Sequence, residues 1–306
     1  MNSDAKSRAS LPTATWRRLV APYEQTDGRR ALLQVVTSYV PYFALWYLMY
    51  RSLEISYWLT LGLALLAAGF LLRAFIILHD CGHRSFIESG RISDVLGFIA
   101  GVMTFVPYYY WRHNHAIHHA TAGNLDRRGP GDIWTMTVEE YRRSSFFQRA
   151  LYRLYRNPLV LFLIGPTFMF VVLYRFVPRG EGWRWQRSVL ISNLAILGVV
   201  VTLCLLMGIE AYLRIQIPIM LFSSAAGVWL FYVQHQFEGV YWERKKNWRG
   251  DDIWEKTGFE LKPFAGMPVG LQLVLAEAKP MVLYDWTVPS LYEFQRAIAD
   301  AERHVA

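Results

Sequence analysis

Six apolar runs interrupt an otherwise polar chain, at about 31–50, 55–78, 95–110, 158–177, 188–208 and 212–233. A helix needs roughly 20 residues to cross roughly 30 Å of hydrocarbon. The runs 31–50, 55–78, 188–208 and 212–233 meet that length and predict four membrane-spanning helices. The run 95–110 is shorter, ends in Val106-Pro107 and leads into Tyr108, Tyr109, Tyr110 and Trp111. Such an aromatic cluster belongs at the headgroup level, so this run predicts a re-entrant or interfacial helix. The run 158–177 is long enough to cross, but Gly165-Pro166 stands at its centre and predicts a bend there. The expected fold class is therefore all-α, a multi-pass membrane protein with four transmembrane helices, two re-entrant or interfacial helices and a cytoplasmic cap.

Composition agrees. Apolar residues make up 54% of the 306 and charged residues only 18%, below the roughly 25% of soluble domains. The formal charge of +8 raises nucleic acid as a partner. The arginines, however, are spread between apolar runs rather than gathered on one patch, which fits a cytoplasmic membrane face and no nucleic acid. The cysteines, Cys81 and Cys204, lie far apart, which excludes a disulfide framework and a CxxC site. The first thirty residues are polar and carry Arg17, Arg18, Arg29 and Arg30, so no cleaved signal peptide is expected.

Arginine placement orients the chain. Eight arginines lie between Trp111 and Asn157, and four more stand at 175, 179, 184 and 187 against one acid, Glu181. The positive-inside rule puts both loops in the cytoplasm. The run 158–177 then enters and leaves on the same side, and both termini are cytoplasmic. The expected organisation is a cytoplasmic segment 1–30, a membrane domain 31–250 and a cytoplasmic segment 251–306.

Six of the eight histidines fall between 79 and 119. His79 and His83 are four apart at the end of the second run. His115 lies three and four residues before His118 and His119. At these spacings the imidazoles of each group share a helical face and can reach one metal centre. Imidazole suits zinc, copper, iron and nickel. Five or six histidines from two segments exceed one closed four-ligand zinc site and imply two metal ions. Iron is the metal of choice beside lipid, because attack on an unactivated C–H bond of an acyl chain needs an oxidant that iron and dioxygen supply and zinc does not.

The segment His79-Asp80-Cys81-Gly82-His83-Arg84-Ser85-Phe86 resembles the first histidine box of membrane fatty-acid desaturases, above all the Δ12/ω-6 type. The segment from Trp111-Arg112-His113-Asn114-His115 to Thr121, with Asn124, Asp126 and Arg127, resembles the second. Gln234-His235-Gln236-Phe237-Glu238, followed by Tyr241-Trp242-Glu243-Arg244, is similar to the stretch after the last span of that family. The resemblance covers roughly residues 30 to 250. It implies a di-iron centre ligated by His79, His83, His115, His118, His119 and His235, and dioxygen as co-substrate. It further implies a fatty acyl substrate and a separate electron donor of the ferredoxin or cytochrome b5 type. His113 is expected beside the ligands or at the surface, and His304 in solvent. A lipid or carotenoid hydroxylase, or a catalytically impaired paralogue, would carry the same boxes.

The family also carries a third box, His-x-x-His-His, some thirty to fifty residues beyond the position of His235. Here no histidine occurs between His235 and His304. The stretch 271–287 stands in that place, with Glu277 and Asp285 as its carboxylates. Two or three ligands are without a counterpart, and weakened metal loading and turnover are expected.

Overall fold

The computed structural model describes residues 26–129, 131–236 and 240–248. The stretch 271–287 and His304 lie outside the described residues. The elements below belong to one compact unit, Asp27–Thr257. In chain order they are α1 (Gly28–Ser52), α2 (Tyr57–His83), α3 (Gly90–Thr104), α4 (Tyr108–Thr121), α5 (Val138–Arg143) and α6 (Phe146–Tyr155). A π-helical turn (Val160–Ile164), α7 (Gly165–Val171), a 3₁₀ turn (Leu173–Arg175), α8 (Trp183–Met207) and α9 (Ile209–His235) follow. Among the described residues the only sheet-like pairing is an isolated bridge between Asn124 and Glu243.

Four helices, α1, α2, α8 and α9, are long and apolar enough to cross a membrane. The fold is all-α and multi-pass. Two further pairs are sharply bent, α3 with α4 by 98° and α6 with the segment Val160–Arg175 by 64°. The first bend splits the run 95–110: Pro107 cannot donate a helical hydrogen bond, and Phe105 ends α3 in the left-handed region at φ 61°. The second bend departs from expectation, because it lies between Tyr155 and Val160 rather than at Gly165-Pro166. Pro166 lacks an N–H, and the preceding turn is wound as a π-helix, with the Gly165 N–H bonded to the Val160 carbonyl. The helix absorbs the proline in this way and bends earlier, after Arg156.

α2 is the central post, packed against α1, α3 and α9. Its inward stripe is small, with Ala64, Ala67 and Ala74 buried beside Leu71. Small side chains let helix backbones approach closely where lipid supplies no hydrophobic drive. Tyr42, Trp46 and Met49 of α1 and Tyr212, Ile215 and Ile219 of α9 fill the space around it. A second cluster, with Leu78, Cys81, Ala100, Val106, Tyr108 and Trp111, packs where α2, α3 and α4 meet. Tyr108 fixes that junction. Its hydroxyl donates toward the Cys81 carbonyl at 2.9 Å and the Asp94 carboxylate at 3.2 Å. Its ring lies where any side chain at Gly97 would stand. Arg84 and Arg112 pair with the same Asp94, at 2.7 and 3.3 Å, so the segments bearing the two histidine groups are bound to one carboxylate.

Candidate metal centre

The first histidine pair ends α2. Arg84 adopts φ 63° and its N–H closes the helix on Asp80 and Cys81, so His79 and His83 are the last ring pair on that face. The second group rides on α4. His79, His83, His115 and His119 come together, each offering one ring nitrogen, and these nitrogens lie within 4.8 Å of one another. The Nε2 separations are 3.2 Å for His79–His83, 2.9 Å for His83–His115 and 3.0 Å for His115–His119. A metal bonded to imidazoles at about 2.1 Å sets neighbouring nitrogens roughly 3–4 Å apart. The quartet has that spacing.

His118 does not join the quartet. Its Nε2 lies 3.2 Å from Nε2 of His235, the last residue of α9. His118 Nδ1 is 2.7 Å from the Asp132 carboxylate, and His235 Nδ1 is 2.8 Å from the Phe231 carbonyl oxygen. Both of those oxygens can only accept, so each Nδ1 carries the hydrogen. In neutral rings both Nε2 atoms then present lone pairs to each other. Two facing lone pairs at this distance repel unless a cation lies between them. The six histidines therefore divide into a quartet and a neighbouring pair, with the His115 and His118 rings 6.1 Å apart. His115, His118 and His119 share one stretch of α4, which feeds both groups.

Burial favours the neutral form of the two quartet members on α4. Outside the spanning helices, the surrounding protein pushes His119 down to about 4 and lowers His115 further, with the neighbouring imidazoles adding to the effect. Neutral rings are what a metal needs. Trp111 stacks on His115 at 4.4 Å and 15° and covers that face of the ring. His79 Nδ1 lies 3.0 Å from the Asp80 carboxylate, which turns its Nε2 toward the quartet.

His113 points elsewhere. It stacks on Trp185, near the start of α8, at 4.2 Å and 16°. That contact, with the two histidine groups, fixes the topology. α2 and α9 both end at the site and α8 begins beside it, so the chain leaves and returns to the same face between His83 and His115. It does so again between His119 and Trp183. The bent pairs are re-entrant.

The sequence model of the family described as fatty acid desaturase matches residues 56–266, more than half of the chain. The chain belongs to the fatty acid desaturase family. A fatty acid desaturase of Bacillus subtilis is 47% identical over 229 residues, 75% of this chain and 65% of that protein. An sn-1 oleoyl-lipid 12-desaturase of Synechocystis is 34% identical over 119 residues, 39% of this chain and 31% of that protein. An sn-1 acyl-lipid omega-3 desaturase (ferredoxin) of Synechocystis is 32% identical over 98 residues, 30% of this chain and 26% of that protein. The chain thus spans just under two thirds of the Bacillus desaturase and about a third or less of the cyanobacterial ones. All six histidines fall inside the desaturase match, and the stretch 271–287 lies beyond its end.

Sequence reasoning missed Asp132. The carboxylate is nearly buried, and it also accepts from the Gly129 N–H at 2.9 Å. Gly131 makes the approach possible: it sits at φ +92°, and a Cβ there would stand 3.3 Å from that of His118. The run Gly129-Pro130-Gly131-Asp132 marks a turn, but nothing in its spacing says that the turn folds back onto α4. Arg244 was noted only as part of a resemblance. In the structure it joins Asp126 at 2.7 Å and Glu140 at 2.9 Å, while Leu125 and Glu243 share a backbone hydrogen bond. These contacts tie the segment after α9 to the loop after α4.

Proposed function

We propose that this chain is an oxygen-dependent fatty acyl desaturase that inserts a cis double bond at a di-iron site. His79, His83, His115 and His119 would hold one iron, and His118 and His235 would contribute to the other. The observation that carries this reading is the convergence of ring nitrogens in two adjacent groups, each turned inward by an oxygen acceptor or by its helix. An all-imidazole donor set fits iron. The quartet is complete by itself, whereas the pair supplies two ligands among the described residues. When bound, iron supplies the dioxygen chemistry that an unactivated C–H bond requires.

The balance of the reaction is one –CH₂–CH₂– unit, one dioxygen, two electrons and two protons giving one –CH=CH– unit and two waters. The chain's own residues hold and shield the site. Asp132 and the Phe231 carbonyl keep hydrogen on the Nδ1 atoms of His118 and His235. Trp111 and the cluster around Tyr108 exclude water from the lipid-ward side. The electrons would come from a separate ferredoxin or cytochrome b5 type donor, for which the arginine-rich face offers an acidic partner a complementary surface. That face would be cytoplasmic, with both termini, and the domain limits would follow 1–30, 31–250 and 251–306.

The test is lipid analysis of a host fed a deuterated saturated fatty acid and expressing either this chain or a version carrying His-x-x-His-His within 271–287. Unsaturated deuterated product that requires dioxygen and disappears in His115→Ala supports the reading. Hydroxylated product alone, from either chain, would replace it with a hydroxylase.

A further inference from the structure

The helix α6 is not among the four spans, and its outer face is apolar. Phe146 and Phe147 are 82% and 74% exposed, and Leu151 and Leu154 are exposed beside them. Together with Ala150 these positions share one arc of the helix. The opposite arc is committed to the protein. The Tyr155 hydroxyl accepts from the Trp134 N–H at 3.2 Å and the Tyr152 hydroxyl from the Met136 N–H at 3.4 Å, with both rings edge-on to Trp134. Arg156 donates to the Tyr232 hydroxyl of α9 at 3.2 Å. Exposed arginines flank the apolar arc, with Arg142 and Arg143 (the latter paired with Glu139) just before the helix and Arg153 on it.

An apolar arc bordered by cations on a short helix matches one occupant, the headgroup–acyl boundary of an anionic leaflet. Continuity points the same way. α6 leads through Asn157 and a 64° bend into the re-entrant segment Val160–Arg175, which brings it to the bilayer surface on the face that carries the site. The inner arc leads onward, because Trp134 is two residues from Asp132, the carboxylate that orients His118.

We infer that α6 is a seat for an anionic lipid surface, and that its seating holds the 132–136 loop in place against His118. Loss of the seat frees Tyr152 and Tyr155 from their backbone partners and loosens the carboxylate behind the histidine.

The test uses the full chain in phosphatidylcholine vesicles, with and without an equal share of phosphatidylglycerol. An environment-sensitive fluorophore is placed at Phe147→Cys, with Cys81 and Cys204 replaced by alanine. Quenchers carried high on the lipid acyl chains should reach the label and aqueous iodide should not. Phosphatidylglycerol should raise lipid quenching about twofold or more, and Arg142→Gln/Arg143→Gln should abolish that rise. In parallel, Phe146→Ser/Phe147→Ser should lose hydrogen-exchange protection across 131–136, and Phe146→Leu/Phe147→Leu should keep it. Iodide quenching in both vesicle types, or unchanged protection in the serine pair, would overturn the inference. Neither readout measures turnover, so the result stands whatever becomes of the desaturase assignment.

Discussion

An imidazole has two nitrogens, and the partner of one decides what the other offers. His118 illustrates this: Asp132 takes the Nδ1 hydrogen, and Nε2 is left as a lone pair aimed at His235. Carboxylates in this position typically contribute 10- to 100-fold to metal affinity. Asp132→Ala should therefore weaken iron retention at the second group by about that factor, read by competition with a chelator, while the quartet keeps its metal. Equal losses at both groups would mean that Asp132 merely holds the fold. His113→Ala should leave iron unchanged, since its ring stacks on Trp185. Five of the six converging histidines were legible as two spaced groups, because a helix translates spacing into a shared face. The division of α4 between two groups was not, because it depends on where α9 ends. Asp132 was hidden for the same reason: a loop of turn residues carries no period from which its target can be read.

At the scale of elements, the apolar runs located α1, α2, α8 and α9 almost to their ends, since length and hydropathy are what a bilayer selects. The bend after Arg156 was misplaced because the π-turn at Val160–Ile164 accommodates Pro166, and sequence alone ranks the proline as the break. The loops depend on charge more than on apolar packing. Glu140 sits between Arg128 and Arg244, and the Arg128 bond foremost, with the Thr137 N–H and Arg244, lowers it to about 2. A lowered carboxylate contributes stability above its unfolded pKa, loses it progressively below that value, and contributes nothing once the pH is under about 2. The tie between 240–248 and the loop after α4 should thus outlast mild acid, to about pH 4, in limited proteolysis. Glu140→Gln should open it at neutral pH, and equal cleavage of both proteins would remove this role. Tyr108→Phe removes one donor from the Cys81 carbonyl, which keeps the Arg84 N–H and the Ser93 hydroxyl, and should cost about 0.5–1.5 kcal/mol in thermal unfolding. Single cysteines near Arg128 and Trp183 should resist a membrane-impermeant reagent in intact cells, and one near Ser52 should react. Labelling near Trp183 alone would separate the two faces that the His113–Trp185 stack joins.

For the whole molecule, three separated segments converge on one face: the end of α2, the last turns of α4 and the end of α9. The histidines that gather at that face lie inside the family match. On the proposed reading, the absence of histidine from 271–287 limits how much metal the site keeps. With no histidine between His235 and His304, the quartet should hold one iron firmly and the His118–His235 pair should hold a second poorly. The most direct measurement is iron per purified chain, taken beside oxygen-dependent unsaturated product. The comparison is between the unaltered chain, His115→Ala, His304→Ala and a chain bearing His-x-x-His-His within 271–287. The account predicts about one iron and slow turnover in the unaltered chain, loss of that iron in His115→Ala and no change in His304→Ala. The grafted chain should gain both iron and product. Two irons with ordinary turnover in the unaltered chain, or full iron retained by His115→Ala, would contradict it.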